Sequence, residues 1–279
     1  MIKLPKNFNY AEAYLTFRCN LGCSYCINKQ SGLEGRSEIE TEDWIRGINN
    51  INFGDVPLTL GGGEPTLHPE FYKIVNGIRP DIKLDLLTNL SFDVNEFIQK
   101  VKPERFSRKD NPAYKPIRVS YHAEKMGDGR DLVGKVMILQ NYGFDVGIFG
   151  LNHPFNTQDN VKMSELCRQN KVYFFIKDFL GWHDKQLFGY YKYPEGLSGN
   201  KKDVSCKTRE LLIAPDGNVF RCHRDLYHNE GSVGYITHED FKIEDIFRPC
   251  NNYGDCNPCD IKMKTNRFLQ MGNCSVEIK

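Results

Sequence analysis

The chain has 279 residues, 40% hydrophobic and 26% charged, enough to bury the core of one large α/β domain plus a small appendage. Lysine and arginine number 37 against 36 acidic residues, and a net charge of +1 gives no electrostatic case for nucleic acid or for an acidic membrane surface. No run of about 18 apolar residues is present and the N-terminus lacks a basic-then-apolar signal pattern, so a cytoplasmic location without a membrane partner is expected.

Taken in chain order, β-rich apolar runs at 11–17, 56–64, 84–89, 117–123, 145–152 and 172–179 predict six strands. Helical periodicity separates them at 41–51, 69–79, 94–101, 132–143 and 161–170. Thr41 and Thr157 are expected caps and Gly143 an expected stop. This repetition calls for a parallel sheet with right-handed crossovers, closed into a barrel or doubly wound. From Gly181 the sequence becomes aromatic and turn-rich, "GWHDKQLFGYYKYPEGLSGNKKD", and reads as a bridging or substrate-covering loop without regular structure. "TRELLIAPDGNVFRC" then sets Pro-Asp-Gly between two β-rich runs, a hairpin expected to bring Cys206 and Cys222 together.

Ten cysteines make an odd disulfide scaffold in a chain this long, and in a reducing compartment they read as metal ligands. Cys19, Cys23 and Cys26 are spaced C-x3-C-x2-C. Cys167 stands alone at an apolar helical position and reads as core. Six more fall in the last quarter at Cys206, Cys222, Cys250, Cys256, Cys259 and Cys274. Structural zinc sites and iron–sulfur clusters normally use four protein ligands, so the trio is one short. Three thiolates would leave one iron of a cluster free to bind a cofactor or substrate, as catalytic zinc keeps a position open.

"CNLGCSYC", followed about forty residues later by "GGGEPTLHPEF", resembles the radical S-adenosylmethionine superfamily. The resemblance covers roughly the first 180 residues and implies a partial (β/α)6 TIM-like barrel. It implies a [4Fe-4S] cluster on Cys19, Cys23 and Cys26, whose fourth iron chelates the amino and carboxylate groups of S-adenosylmethionine. Cofactor contacts are implied for Tyr25, for Gly62, Gly63 and Glu64, for Thr88 and Asn89 at the end of the third strand, and for Ser120 on the fourth. "GIFGLNH" at 147–153 is similar to the segment that packs on adenine. The implied chemistry is reductive cleavage of the cofactor to methionine and a 5′-deoxyadenosyl radical, which abstracts hydrogen from a small polar, sugar-like or peptide substrate. A flavodoxin- or ferredoxin-type reductant would supply the electron.

The last quarter resembles the auxiliary-cluster module called twitch, a truncated relative of the SPASM domain. Cys206 and Cys222 are spaced C-x15-C with Gly217 between them, and "CNPC" follows at 256–259. The resemblance implies a small β-hairpin and helix module holding a second [4Fe-4S] cluster on Cys206, Cys222, Cys256 and Cys259, although the same spacing also suits zinc. Cys250 and Cys274 depart from the pattern, as substitute ligands or as a free thiol donating a hydrogen atom. His223, beside Cys222, is expected to support a ligand, not to be one. His122 and Glu124 are candidate proton acceptors or helix caps, and Lys177, Asp178 and His183 are candidate substrate contacts at a strand's carboxyl end. The expected division is barrel 1–181, bridge 182–205 and auxiliary module 206–279. Dehydrogenation, with the auxiliary cluster taking the second electron, is favoured over epimerisation by a Cys250 or Cys274 thiol. A non-catalytic iron–sulfur carrier is the third reading, and such a carrier has no use for "GGGEP".

Overall fold

A computed structural model describes residues 1–30, 32–108, 114–239, 241–265 and 271–279. In chain order the principal elements are β1 (Tyr10–Thr16), α1 (Thr41–Asn49), β2 (Leu58–Gly62), α2 (Phe71–Gly77), β3 (Leu84–Thr88), α3 (Val94–Lys100) and β4 (Ile117–Tyr121). They continue with α4 (Arg130–Asn141), β5 (Val146–Asn152), α5 (Thr157–Gln169), β6 (Phe174–Asp178), β7 (Lys202–Thr208), β8 (Glu210–Ile213) and β9 (Asn218–Phe220). The last are α6 (His223–His228), β10 (Gly234–Tyr235), β11 (Arg248–Tyr253) and β12 (Val276–Ile278). Contacts divide the chain into two compact units.

One unit comprises Tyr14–Arg36 and Thr59–Phe179. Its strands lie in the order β1-β2-β3-β4-β5-β6, and the pairs from β3 to β6 are parallel, with helices in the crossovers. The α/β pattern expected from the sequence is present, and all six strands form. In β4, Ile117, Val119 and Tyr121 are buried while Arg118 and Ser120 are half-buried, the period-two alternation that selects a strand. The stop at Gly143 forms as expected: its φ is +87°, and Phe144 N–H donates back to Leu139 O at 3.1 Å, a Schellman closure of α4. Thr157 differs from expectation. It is the first residue of α5, whose N-cap is Asn156 without a side-chain cap bond.

The other unit comprises Met1–Ala13, Ser37–Leu58 and Leu180–Lys279. Thr41 likewise opens α1 behind the N-cap Glu40, and α1 buries Trp44 and Ile48. Residues Tyr10–Ala13 pair in parallel with β8, and β8, β9 and β10 form an antiparallel meander. The Pro-Asp-Gly turn closes β8 onto β9 with Gly217 at φ +82° and its N–H on Ala214 O at 2.9 Å. Cys206 is not on this hairpin: it lies on β7, which pairs with β11 and β12. The expected irregular bridge also contains a regular ribbon, Gly181–His183 against Gln186–Phe188. Asp184 and Lys185 form its turn at φ 47° and 63°, the left-handed pair of a type I′ turn. Without Asn or Gly there, the turn carries no sequence signature. Among the described residues no helix is long and apolar enough to cross a membrane.

Candidate active site and auxiliary thiol group

The loop after β1 carries Cys23, buried, with Cys19 and Cys26 half-buried. Groups at three strand ends fasten it. Asn28 Nδ2 donates to Gly62 O at 2.9 Å, and Asn89 Nδ2 donates to Asn20 Oδ1 at 2.9 Å while lying 3.9 Å from Cys19 Sγ. Beyond β4, Glu124 Oε1 accepts the Ser24 N–H at 2.7 Å, and His122 Nδ1 lies 3.0 Å from the Tyr25 hydroxyl.

The glycine run brings backbone against backbone. Gly63 N–H donates to Thr16 O and Glu64 N–H to Arg18 O, both at 2.8 Å. Gly62 has φ +125°, and a Cβ there would sit 2.1 Å from Thr16 O; one on Gly63 would sit 2.2 Å from Arg18 O. Only glycine fits this cradle. The peptide donors expected to meet the cofactor at Gly63 and Glu64 are therefore bonded to the start of the cysteine loop.

The Glu64 side chain is likewise engaged. It is fully buried and accepts from Asn89 N–H at 2.6 Å, Thr88 Oγ1 at 2.8 Å and Thr66 Oγ1 at 2.6 Å. Burial pushes its pKa up further than these donors pull it back. Thr88 also accepts the Leu90 N–H at 2.9 Å, holding Leu90 at φ 57°, a left-handed conformation unusual for leucine. Glu64 and Thr88 thus join strand ends beneath the loop. Ser120 is half-buried on β4 opposite Phe149 of β5.

Tyr25 stacks on two imidazoles, His122 at 5.9 Å and 29° and His153 at 5.3 Å and 27°. His153 in turn meets Phe179 edge-on at 4.6 Å. Burial lowers the His122 pKa, and burial followed by the nearby Cys23 charge raises that of Tyr25. Lys177 lies 4.8 Å over the Phe149 ring.

As free thiols these groups stay protonated. Burial, then the charges of Glu124, Cys26 and Cys19, push Cys23 up to about 12. Thiolates so placed are stable only when a cation neutralises them. A single zinc, with Zn–S bonds of about 2.3 Å, would hold its sulfurs within about 4.6 Å of one another. Among the described residues no three thiols lie within 4.8 Å of one another. Three thiolates on one short loop are the donor set of an iron–sulfur cluster with one open iron.

In the other unit, Cys250 on β11 faces Val204 and Arg248 faces Cys206, so Cys206 and Cys250 are diagonal neighbours on one side of the β7–β11 pair. Burial pushes Cys206 up to about 12, with the charges of Cys250 and Cys256 adding to it. Cys256 also rises to about 12, through burial and then Asp260, with Cys250 contributing. Cys222, the N-cap residue of α6, rises well above its usual value through burial, and Cys206 adds to the shift. Cys206, Cys222, Cys250 and Cys256 therefore form one electrostatic group, and it includes a cysteine outside the expected four. Cys259 donates its N–H to Asn257 Oδ1 at 2.8 Å, and its Sγ lies 3.9 Å from Lys262 Nζ. Cys274 is buried against Ile261 and Val276, with Sγ 3.5 Å from Asp260 O. Cys167 is buried in α5.

Asp260 ties the two cysteine segments together. It accepts His223 N–H at 2.8 Å, Arg224 N–H at 3.1 Å and His223 Nδ1 at 2.8 Å. Glu210 lies 3.2 Å from the same nitrogen and 2.9 Å from Lys264 Nζ. Glu210, His223 and Asp260 bring three ligand atoms within 4.8 Å. Burial works against the His223 charge, but Glu210 and Asp260 outweigh it and hold the imidazole protonated. With His223 and Lys264 balancing two carboxylates, this is an ion network and not a cation site.

Asn20 and Asn28 carried no signal of their own in the sequence, and His153 only its place at the end of "GIFGLNH". Each is one polar residue whose partner lies far along the chain.

Residues 14–108 match the Radical SAM superfamily. An S-adenosylmethionine-dependent nucleotide dehydratase of Selenomonas ruminantium is 29% identical over 100 residues, 35% of this chain and 35% of that protein. PqqA peptide cyclase of Rhodopseudomonas palustris is 34% identical over 77 residues, 27% of this chain and 20% of that protein. GTP 3′,8-cyclase of Nautilia profundicola is 31% identical over 119 residues, 38% and 35% respectively. The chain therefore spans no more than 35% of the length of these relatives. Streptococcus suis SuiB bound to precursor peptide SuiA superposes with a TM-score of 0.59 at 13% identity, covering 83% of this chain and 63% of that one. The structure of anSMEcpe with bound AdoMet gives 0.58 at 14%, covering 90% and 81%. These likenesses show the fold, a partial TIM barrel. The superfamily match falls on the cysteine loop, the glycine cradle and the Glu64 staple, and it is this part of the chain that is similar to the radical SAM superfamily.

Proposed function

We propose that Cys19, Cys23 and Cys26 hold a [4Fe-4S] cluster with S-adenosylmethionine on its open iron, and that the protein oxidises its substrate by hydrogen abstraction. Bound there, cluster and cofactor supply a 5′-deoxyadenosyl radical. The observation that carries the reading is the glycine cradle, which bonds the end of β2 to the entry of the three-thiol loop. Tyr25, supported by His122 and His153, offers an aromatic face beside Cys26. Asn89 fixes Asn20 next to Cys19. Ser120 remains a candidate cofactor contact. The substrate class is small and polar, sugar-like or peptide; named relatives act on nucleotides and peptides.

The C-terminal thiols hold a second cluster in a twitch-like module, with Cys206, Cys222 and Cys256 completed by Cys259 or Cys250. Dehydrogenation is supported over epimerisation because Cys274 is buried on a carbonyl and Cys250 lies within the thiol group, which leaves neither as an open hydrogen donor. A flavodoxin- or ferredoxin-type protein is the proposed reductant. Incubating the reduced, reconstituted protein with deuterated nucleotide, sugar and peptide candidates tests the reading. Deuterium should appear in 5′-deoxyadenosine and an oxidised product should accumulate with one substrate class. A product inverted at one carbon, carrying solvent hydrogen, would replace dehydrogenation with epimerisation.

A further inference from the structure

The end of β4 grips the cysteine loop at two consecutive residues. Glu124 Oε1 takes the Ser24 N–H at 2.7 Å, and the His122 ring both bonds and stacks on Tyr25. Ser24 and Tyr25 are the only two residues between Cys23 and Cys26. Glu124 is not needed to complete any buried network, for its carboxylate is exposed. From the geometry we infer that Glu124 is a positioning residue that holds the cluster loop and sets the cluster's reduction potential low. The inference rests on the proposed cluster site.

Two effects act in the same direction. A fixed negative charge beside the Cys23 thiolate disfavours the added electron of the reduced cluster. The Ser24 N–H, being occupied, is also withheld from the cluster sulfurs, and hydrogen bonds to those sulfurs raise the potential. The Ser24 contact sets that charge one residue from Cys23 in the chain. Slight burial acts upward on Glu124 itself, but the Ser24 amide outweighs it and holds the carboxyl below its ordinary value. A low potential matters because the electron must pass on to a sulfonium, a poor acceptor.

The test is an EPR-monitored redox titration of Glu124→Gln and Glu124→Ala against the parent, reading the signal that S-adenosylmethionine perturbs. Glu165→Gln, an exposed carboxylate on α5 paired with Arg168, is the control. Glu124→Gln keeps an acceptor for Ser24 and removes the charge. It should retain full iron and shift the one-electron equilibrium toward reduction about threefold, where tenfold corresponds to 59 mV. Salt should shrink this difference, because the charge is exposed. Glu124→Ala, which also frees the Ser24 N–H, should shift at least as far. Glu165→Gln should match the parent. Midpoints equal to the parent's in both Glu124 variants would overturn the inference; if the alanine variant assembles no cluster, the glutamine variant decides alone. A parent with no reducible cluster on this loop would overturn the proposed site as well, whereas a reducible cluster with an unmoved potential removes the Glu124 role only.

Discussion

The Asn89 backbone N–H donates to the buried Glu64 carboxylate at 2.6 Å, fastening the end of β3 to the residue just past the glycine run. Thr88 and Thr66 hydroxyls complete the set of donors to that carboxylate. Glu64→Ala leaves several buried donors without partners and should cost about 3 kcal/mol or more, because each orphaned group costs roughly 1–3 kcal/mol. Glu64→Gln, which keeps one carbonyl oxygen, should cost about half as much. Urea unfolding monitored by circular dichroism reads both. Equal stability of Glu64→Ala and the parent would remove the staple from the account.

Two glycines should respond in opposite directions to the same change. Gly62→Ala pushes a Cβ to 2.1 Å from the Thr16 carbonyl, a backbone atom that cannot swing aside, at a left-handed φ. It should destabilise the fold by about 2–4 kcal/mol and abolish iron binding at the loop. Gly134 is an exposed residue of α4 with nothing within 4 Å of its Cβ position. Gly134→Ala should raise stability by about 0.5–1 kcal/mol. Thermal unfolding with iron analysis of both variants checks the contrast.

The strands and crossover helices were legible because they rest on period-two and 3.6-residue patterns, which survive in one sequence. The cysteine loop and the glycine run were legible as motifs. The work done by Glu64 was not, since its partners Thr88 and Asn89 arrive from another strand and nothing in "GGGEP" reveals that the carboxylate turns inward. The Asp184–Lys185 turn was missed because its left-handed residues are not the usual Asn-Gly. Thr41 and Thr157 misled as caps because a threonine at the first helical position looks the same in sequence as one at the N-cap. Cys250 stood outside the expected spacing, and only the β7–β11 register brings it beside Cys206.

His122 gives the fold a pH dependence. Burial lowers its native pKa, so the unfolded chain accepts a proton first, near pH 6.5. Its contribution is constant above that value, grows unfavourable as the pH falls from there to the lower native pKa, and levels off below it. Between pH 7 and pH 5 the parent should lose stability more steeply than His122→Gln, and the slopes should coincide above pH 7.5. Parallel curves throughout would show that His122 titrates as it does in the unfolded chain.

Cys250 and Cys274 should separate cleanly. Cys274→Ala removes a buried thiol from the Ile261 and Val276 cluster and should cost about 1–2 kcal/mol without changing iron content. Cys250→Ala should alter the spectrum or the iron occupancy of the C-terminal cluster. In deuterated water, loss of solvent deuterium from product in either variant, with iron unchanged, would establish a thiol donor and an epimerase.

The most direct measurement is iron content together with reductive cleavage of S-adenosylmethionine, made on the anaerobically reconstituted parent and on the variant with Cys19, Cys23 and Cys26 all replaced by alanine. The parent should bind about eight irons, four for each of two [4Fe-4S] clusters, and release 5′-deoxyadenosine under a strong reductant. The triple variant should keep roughly half the iron, on its C-terminal thiols, and release none. Zinc in place of iron, cleavage that survives the triple substitution, or loss of all iron with it would contradict two separate centres with catalysis at the first.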